Sequence, residues 1–161
     1  MDTEPKIRLA HEGDVEALVR LAAAFREHLQ QSMPSDAELR TSIALLLKDA
    51  DTEFVLACRD RGASLGYVQS RYRYSAWTSA LSAELEDVFV IREVRRQGVG
   101  RRLVEYAIAR AIERGCRTVG LNTNERNAQA LALYQELGFV AERTFWKGGR
   151  QLWLERPLGT P

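Results

Sequence analysis

The chemistry this chain could do is concentrated in two neighbouring stretches. In Arg95-Arg96-Gln97-Gly98-Val99-Gly100-Arg101-Arg102, two glycines one residue apart lie between pairs of arginines. Glycine lets backbone amides approach a ligand closely, and arginine adds fixed positive charge with paired donors. Just upstream, Leu85-Glu86-Asp87-Val88-Phe89-Val90-Ile91 is apolar and β-branched enough for a buried strand, yet carries two adjacent acids. Just downstream, Val99, Leu103, Val104, Ala107, Ile108, Ala111 and Ile112 recur at helical spacing and form one apolar stripe. A strand, a glycine turn and a helix N-terminus in that order make a cradle for a polyanionic phosphate. The first helical N–H groups lack intrahelical partners, and the positive end of the dipole faces the ligand. The stretch is not a P-loop, because no Gly-Lys-Ser/Thr follows. It also lacks the third glycine of a dinucleotide fingerprint.

The acids need a reason of their own, since an unpaired carboxylate on a buried strand is costly. Strict alternation puts Glu84, Glu86, Val88 and Val90 on one face and Leu85, Asp87 and Phe89 on the other. A cationic amine would supply the missing partner. Pairing of Glu84 and Glu86 with Arg71 or Arg73 across a hairpin is the structural alternative.

As Arg-x-x-Gly-x-Gly between strand and helix, the loop resembles the acyl-CoA-binding signature of the GNAT superfamily of N-acyltransferases. Asn127-Ala128-Gln129-Ala130-Leu131-Ala132-Leu133-Tyr134-Gln135-Glu136-Leu137-Gly138-Phe139 resembles that superfamily's second signature, in the expected order and separation. The resemblance covers residues 6–157 and is sharpest over 85–139. It implies an α/β (α+β) fold with a central mixed, mostly antiparallel, splayed sheet flanked by helices, in a single domain over 1–161. It also implies acetyl-CoA as co-substrate, no metal, and direct attack of an amine on the thioester in a ternary complex.

Roles follow from the same resemblance. The pyrophosphate falls to Arg95, Arg96, Gln97, Gly98, Val99, Gly100 and Arg101. Main-chain groups of Phe89 and Val90 align the pantetheine arm, and the N–H of Val88 or Phe89 polarises the thioester carbonyl. A well-placed donor of that kind is worth about 3–4 kcal/mol. Tyr134 is the general acid that protonates the leaving thiolate, and Asn127 caps its helix or bonds the cofactor. The base is read from the strand itself, with Glu86, Asp87 and Glu84 as candidates: Glu86 is expected as base or amine-binder, and Glu84, Asp87 and Trp77 as contacts to the acceptor. Leu85-Glu86-Asp87-Val88-Phe89-Val90 also resembles the matching strand of the diamine and polyamine acetyltransferase branch, which implies a small cationic amine. Arg71 and Arg73, were they to line the pocket, favour an amine that also carries a carboxylate. Transfer to a protein amine, or a non-catalytic acyl-CoA-binding regulator, are the alternative functions.

The elements that must position these residues can be read from periodicity. A short strand over 6–10 leads to Asp14 as helix cap, with Val15, Leu18, Val19, Ala22, Phe25 and Leu29 on one face. Pro34-Ser35-Asp36-Ala37-Glu38 contains a capping box, continued by Leu39, Ile43, Leu46 and Leu47. Strands are expected over 53–59 and 65–74 around the turn-rich 60–64, with a loop over 75–82. Gly115 stops the long helix, a strand follows over 118–123, and Gly138 stops the last helix. A second hairpin is expected from 140–146 and 151–155 around Lys147-Gly148-Gly149-Arg150.

Composition narrows the partners. A formal net charge of +1 over 161 residues argues against bulk binding to nucleic acid or to anionic membrane. No apolar run approaches the roughly 20 residues that span a bilayer, and the acidic start Met1-Asp2-Thr3-Glu4 lacks a signal core. Cys58 and Cys116, far apart in sequence, read as reduced thiols of a cytoplasmic protein. His11 and His28 read as surface residues. By analogy with the fold, the last two strands make a homodimer.

Overall fold

The computed structural model describes residues 4–60, 62–141 and 153–159. The chain divides into two compact units, Met1–Asn122 and Thr123–Pro161. The first holds β1 (Lys6–Leu9), α1 (Val15–His28), α2 (Asp36–Leu46), β2 (Thr52–Cys58), β3 (Ser64–Ser75), β4 (Ala80–Val90), α3 (Val99–Glu113) and β5 (Cys116–Leu121). The second holds α4 (Ala128–Glu136).

The five strands form one sheet in chain order, antiparallel from β1 to β4 and parallel between β4 and β5. That parallel step needs a crossover, and α3 is its helix. This is the mixed, mostly antiparallel sheet expected from the sequence. Its two faces are covered differently. Leu18, Val19 and Leu21 of α1 and Ile43 of α2 pack with Phe54, Leu56, Tyr67 and Phe89. On the other face, Ala111 of α3 packs with Tyr72 and Ala83. The helices thus flank the sheet, and α3 buries Val99, Leu103, Val104, Ala107 and Ala111 as its stripe requires. Ile112, expected on that stripe, is 68% exposed, because at about 100° per residue it falls outside the arc that holds Leu103, Val104, Ala107 and Ala111.

Local signals set most of the ends. The Ser35 hydroxyl accepts from the Glu38 N–H while the Glu38 carboxylate accepts from the Ser35 N–H, the reciprocal cap read from the sequence. Gly115 and Gly138 take φ of 80° and 90° directly after their helices. Asp14 departs from expectation. It makes no side-chain cap to α1; its carboxylate accepts from the His11 N–H and from the Arg8 guanidinium at 2.7 and 2.8 Å. His11, exposed as expected, accepts from the Gly13 N–H and closes a short 3-10 turn ahead of α1.

The β3–β4 hairpin is longer than expected. A loop over 75–82 shrinks to a turn over 76–79, with Ser79 at φ 50°. Pairing of Tyr72 with Ala83 and of Tyr74 with Leu81 extends both strands, a cross-strand gain that the Ser- and Thr-rich local sequence hides. The hairpin expected around 147–150 lies largely outside the described residues. Its described ends, 140–141 and 153–155, are not in strands.

Glu53 of β2 joins sheet and helix on the α3 side. Its carboxylate accepts from Arg110 at 2.7 Å, Arg114 at 3.2 Å and the Tyr72 hydroxyl at 2.8 Å, and the Arg114 guanidinium lies 4.0 Å from the Tyr72 ring centre. Burial alone pushes Glu53 up, but these donors outweigh it and hold the carboxyl below its ordinary value.

Candidate active site

The register of β3 against β4 decides how the acids are displayed. Gln69 pairs with Asp87 and Ser70 with Leu85, so Glu86 has no residue opposite it and forms a β-bulge. Tyr67, Gln69 and Arg71 alternate along β3 and therefore share one face. The Tyr67 hydroxyl donates to Asp87 Oδ2 at 2.8 Å, the Gln69 amide donates to Glu86 Oε2 at 2.9 Å, and Arg71 Nε lies 3.8 Å from Glu86 Oε1. Glu86 and Asp87 therefore point to the same face, and Glu84, opposite Arg71 in register, joins them. Strict alternation had put Asp87 on the opposite face; the extra residue of the bulge corrects it. Leu85 keeps its place among the buried residues.

The electrostatics of this face follow from its depth. Phe89 stacks on Phe25 at 5.1 Å, and the His28 ring lies 6.4 Å from Phe89, so α1 closes one end. Toward the other end the side chains open to solvent, with Glu86 37% and Arg71 46% exposed. Burial pushes the Asp87 carboxyl above its ordinary value, against the lowering donation from Tyr67. Burial also raises Glu86, the Arg71 charge lowers it, and the charges of Glu84 and Asp87 raise it further. A face with three acids and one arginine favours a cation. Arg71 thus fulfils part of the structural alternative, as a loose partner of Glu86.

The opposite edge of β4 offers main-chain groups. β4 pairs with β5 only from Leu81 to Leu85, and the register places no described strand beside Glu86 to Val90 on that side. The Ile91 N–H donates to the Leu65 carbonyl, and antiparallel ladders alternate in steps of two, so Phe89 turns its groups toward Tyr67. Val88 and Val90 turn theirs to the open edge. Of the two expected sources of the polarising N–H, the ladder leaves Val88. The Val90 carbonyl, expected to align the arm, accepts from Arg95 Nε at 2.9 Å.

The loop then takes the shape of a backbone nest. Arg96 and Gly98 both have positive φ, 63° and 81°, and Gly98 is the N-cap of α3. At Gly98 an added Cβ meets nothing within 4 Å, so glycine answers the backbone angle and not a lack of room. N–H groups of the first turn, at Val99 and Gly100, have no i−4 carbonyl to bond. Nest and helix terminus together fit a pyrophosphate. The side chains contribute less evenly than the sequence suggests. Arg95 folds back, its guanidinium 5.6 Å from the Phe89 ring centre, and the Gln97 amide donates to the Glu93 carbonyl. Arg96 is exposed, and Arg101 lies 3.7 Å from Glu105. Among the described residues, no group of three or more His, Cys, Asp or Glu is placed to hold a metal ion.

Trp77 does not join the carboxylates. It sits 84% exposed in the hairpin turn, and the residues from Ala80 to Glu86 separate it from them by roughly 20 Å of strand. In the second unit, the Asn127 side chain accepts from the Ala130 N–H and caps α4. Tyr134 is buried on α4, 5.8 Å from Phe139 in an edge-on contact, and burial raises its phenol above the ordinary value. It therefore stays protonated at neutral pH, as an acid must. Tyr67 and Gln69 escaped the sequence reading. Their only signal was alternation within a strand, and which carboxylate each meets depends on register.

Residues 17–139 match the Acetyltransferase (GNAT) family, and the chain belongs to that family. An N-acetyltransferase of Bacillus subtilis, YhfO, is 26% identical over 86% of this chain and 92% of that protein. The thialysine N-epsilon-acetyltransferase of Mus musculus is 29% identical over 83% of this chain and 82% of its own length. Among solved structures, a probable acetyltransferase superposes with a TM-score of 0.81 at 23% identity, over 93% of this chain and 99% of that one. The protein is a GNAT-type N-acetyltransferase.

Proposed function

We propose that the enzyme transfers the acetyl group of acetyl-CoA to the amine of a small cationic molecule, by direct attack in a ternary complex. One observation carries the reading: the bulge at Glu86 gathers Glu84, Glu86 and Asp87 on one face of β4, the strand whose opposite edge runs into the Gly98 nest. The residues from Arg95 to Arg101, chiefly through backbone N–H groups of the nest and first helical turn, would hold the pyrophosphate. Bound acyl-CoA supplies the thioester carbonyl that the amine attacks. The Val88 N–H stabilises the oxyanion that develops on that carbonyl oxygen. Glu86 and Asp87 bind the ammonium and accept its proton, directly or through water, which leaves a neutral nucleophile. Glu84 attracts the rest of the cation. The phenol of Tyr134 protonates the departing thiolate. The whole chain acts as one catalytic domain, in a cytoplasmic homodimer, with neither nucleic acid nor membrane as partner and no metal.

A second reading is favoured by Arg71, which shares the acidic face. An acceptor bearing a carboxylate beside its amine would meet a cation there. The relative that acts on thialysine lends this reading further support.

The test is acetyl-CoA turnover, read as free thiol, against polyamines, aminoglycosides, amino acids and short peptides. Turnover with polyamines or aminoglycosides supports the cationic acceptor; turnover confined to amino acids favours the second reading. Peptide-only turnover moves the function to protein amines. Tight acetyl-CoA binding with no turnover on any amine would leave a regulator.

A further inference from the structure

Tyr67 is among the largest fully buried side chains, its ring packed 6.3 Å from Phe54 and 6.5 Å from Phe89. A phenylalanine would satisfy that packing. The hydroxyl is accounted for only by Asp87, whose Oδ2 it meets at 2.8 Å. Burial, together with the charge of Asp87, keeps the phenol protonated and hence a donor. Among the described residues, the second oxygen of Asp87, Oδ1, has no hydrogen-bond partner. Glu86, by contrast, is held by Gln69 and faced by Arg71. The bulge has therefore placed two carboxylates side by side and given them different supports.

We infer that Tyr67 is a positioning residue for acyl transfer: its hydroxyl fixes Oδ2 of Asp87 and so presents Oδ1 as the atom that takes the acceptor's proton, while Glu86 anchors the ammonium. This rests on the proposed function and divides the work of its carboxylate pair. In the step, an N–H bond of the ammonium breaks and its proton passes to Asp87 Oδ1. The electron pair stays on nitrogen, which attacks the thioester carbon as the C–S bond breaks. The nitrogen then carries one proton too many and releases it as the amide forms, while the leaving thiolate takes one up, so that the net product is the one proton on Asp87 Oδ1, which passes to water.

Other charges face the same region: Glu84 and Glu86 from β4, Arg71 from β3, His28 from α1, and Arg95 over the Phe89 ring. All are unchanged in Tyr67→Phe, which deletes one oxygen and keeps the ring. In that variant kcat/KM for the amine should fall about tenfold at neutral pH, the order of one hydrogen bond to a charged group. The KM for acetyl-CoA should stay the same. Loss of the donor removes a hydrogen bond from the ionised form, so the acid limb of the kcat/KM profile should move to higher pH. The carboxyl carbon of Asp87, followed by NMR, should titrate higher in the same variant. In an Asp87→Asn background, Tyr67→Phe should cost nothing further. An Asp87 titration unmoved by Tyr67→Phe, an unmoved acid limb, or additive losses in the double variant overturns the inference alone. Failure of the wild-type protein to acetylate any amine overturns the proposed function, and the inference with it.

Discussion

Asp87 is a carboxylate whose surroundings work against its charge. Burial raises its pKa in the fold, so its ionised form is less stable there than in the unfolded chain. The sign of the linkage is then fixed. Above the ordinary carboxylate range Asp87 subtracts stability, and protonation as pH falls relieves the cost. Asp87→Asn keeps the size and still accepts from Tyr67. It should raise the melting temperature at pH 7 while lowering kcat/KM for the amine, which differential scanning calorimetry and initial rates will show. A fall in melting temperature would mean that the carboxylate is there for the fold. Such opposition between stability and activity is common at functional sites. Gly98 makes the other demand at this scale, because φ of 81° disfavours any residue with a Cβ. Gly98→Ala should cost about 1 kcal/mol and raise the KM for acetyl-CoA without moving that for the amine.

At the scale of elements, the β3–β4 pair aligns both halves of the proposed chemistry. Its register leaves the bulge at Glu86, and it sets which amides of β4 face the open edge. Gly66 makes the close approach possible, since a Cβ there would lie 2.5 Å from the Phe89 carbonyl oxygen. That oxygen is backbone and cannot swing aside. Gly66→Ala should therefore push β4 away from β3, at a cost of about 2 kcal/mol in urea titration, the middle of the overpacking range. Because Val88 moves with the strand, kcat should fall more than the binding of acetyl-CoA. A variant of full stability and full kcat would show that the hairpin tolerates the shift and does not set the oxyanion donor. The helices were legible locally, as the Ser35–Glu38 box and the stripe through Val99, Leu103 and Val104 show. The bulge was not. Nothing in Leu85-Glu86-Asp87 says which of the three lacks a partner, because that depends on where β3 begins its pairing.

For the molecule as a whole, stability in acid rests on two buried ion clusters at separate places. Asp14, hydrogen-bonded by Arg8 and by the His11 N–H, is lowered to about 2 despite its burial. Glu53, enclosed by Arg110, Arg114 and Tyr72, is also lowered. A depressed carboxylate contributes stability that is present above its unfolded pKa and lost as pH falls through the folded one. Asp14→Asn should therefore cost about 2 kcal/mol at pH 7 and progressively less as pH falls toward 2, so that its stability profile is flatter between pH 4 and 2 than the wild type's. Chemical denaturation across that range checks it; a constant difference at every pH would place the loss in packing. From the sequence alone came the glycine turn ahead of α3, the order of elements up to α4, the mixed sheet, and the acids at 84, 86 and 87. Each rests on local information: a glycine's freedom, a helical period of apolar residues, a resemblance carried by short motifs. Tertiary structure decided the rest. It turned Asp87 to the same face as Glu86, folded Arg95 back onto Phe89, set Trp77 apart in the hairpin turn and gave Asp87 its partner in Tyr67. Strand pairing joins residues that sequence keeps 17 and 20 positions apart, and a single unpaired residue reverses the face of its neighbours.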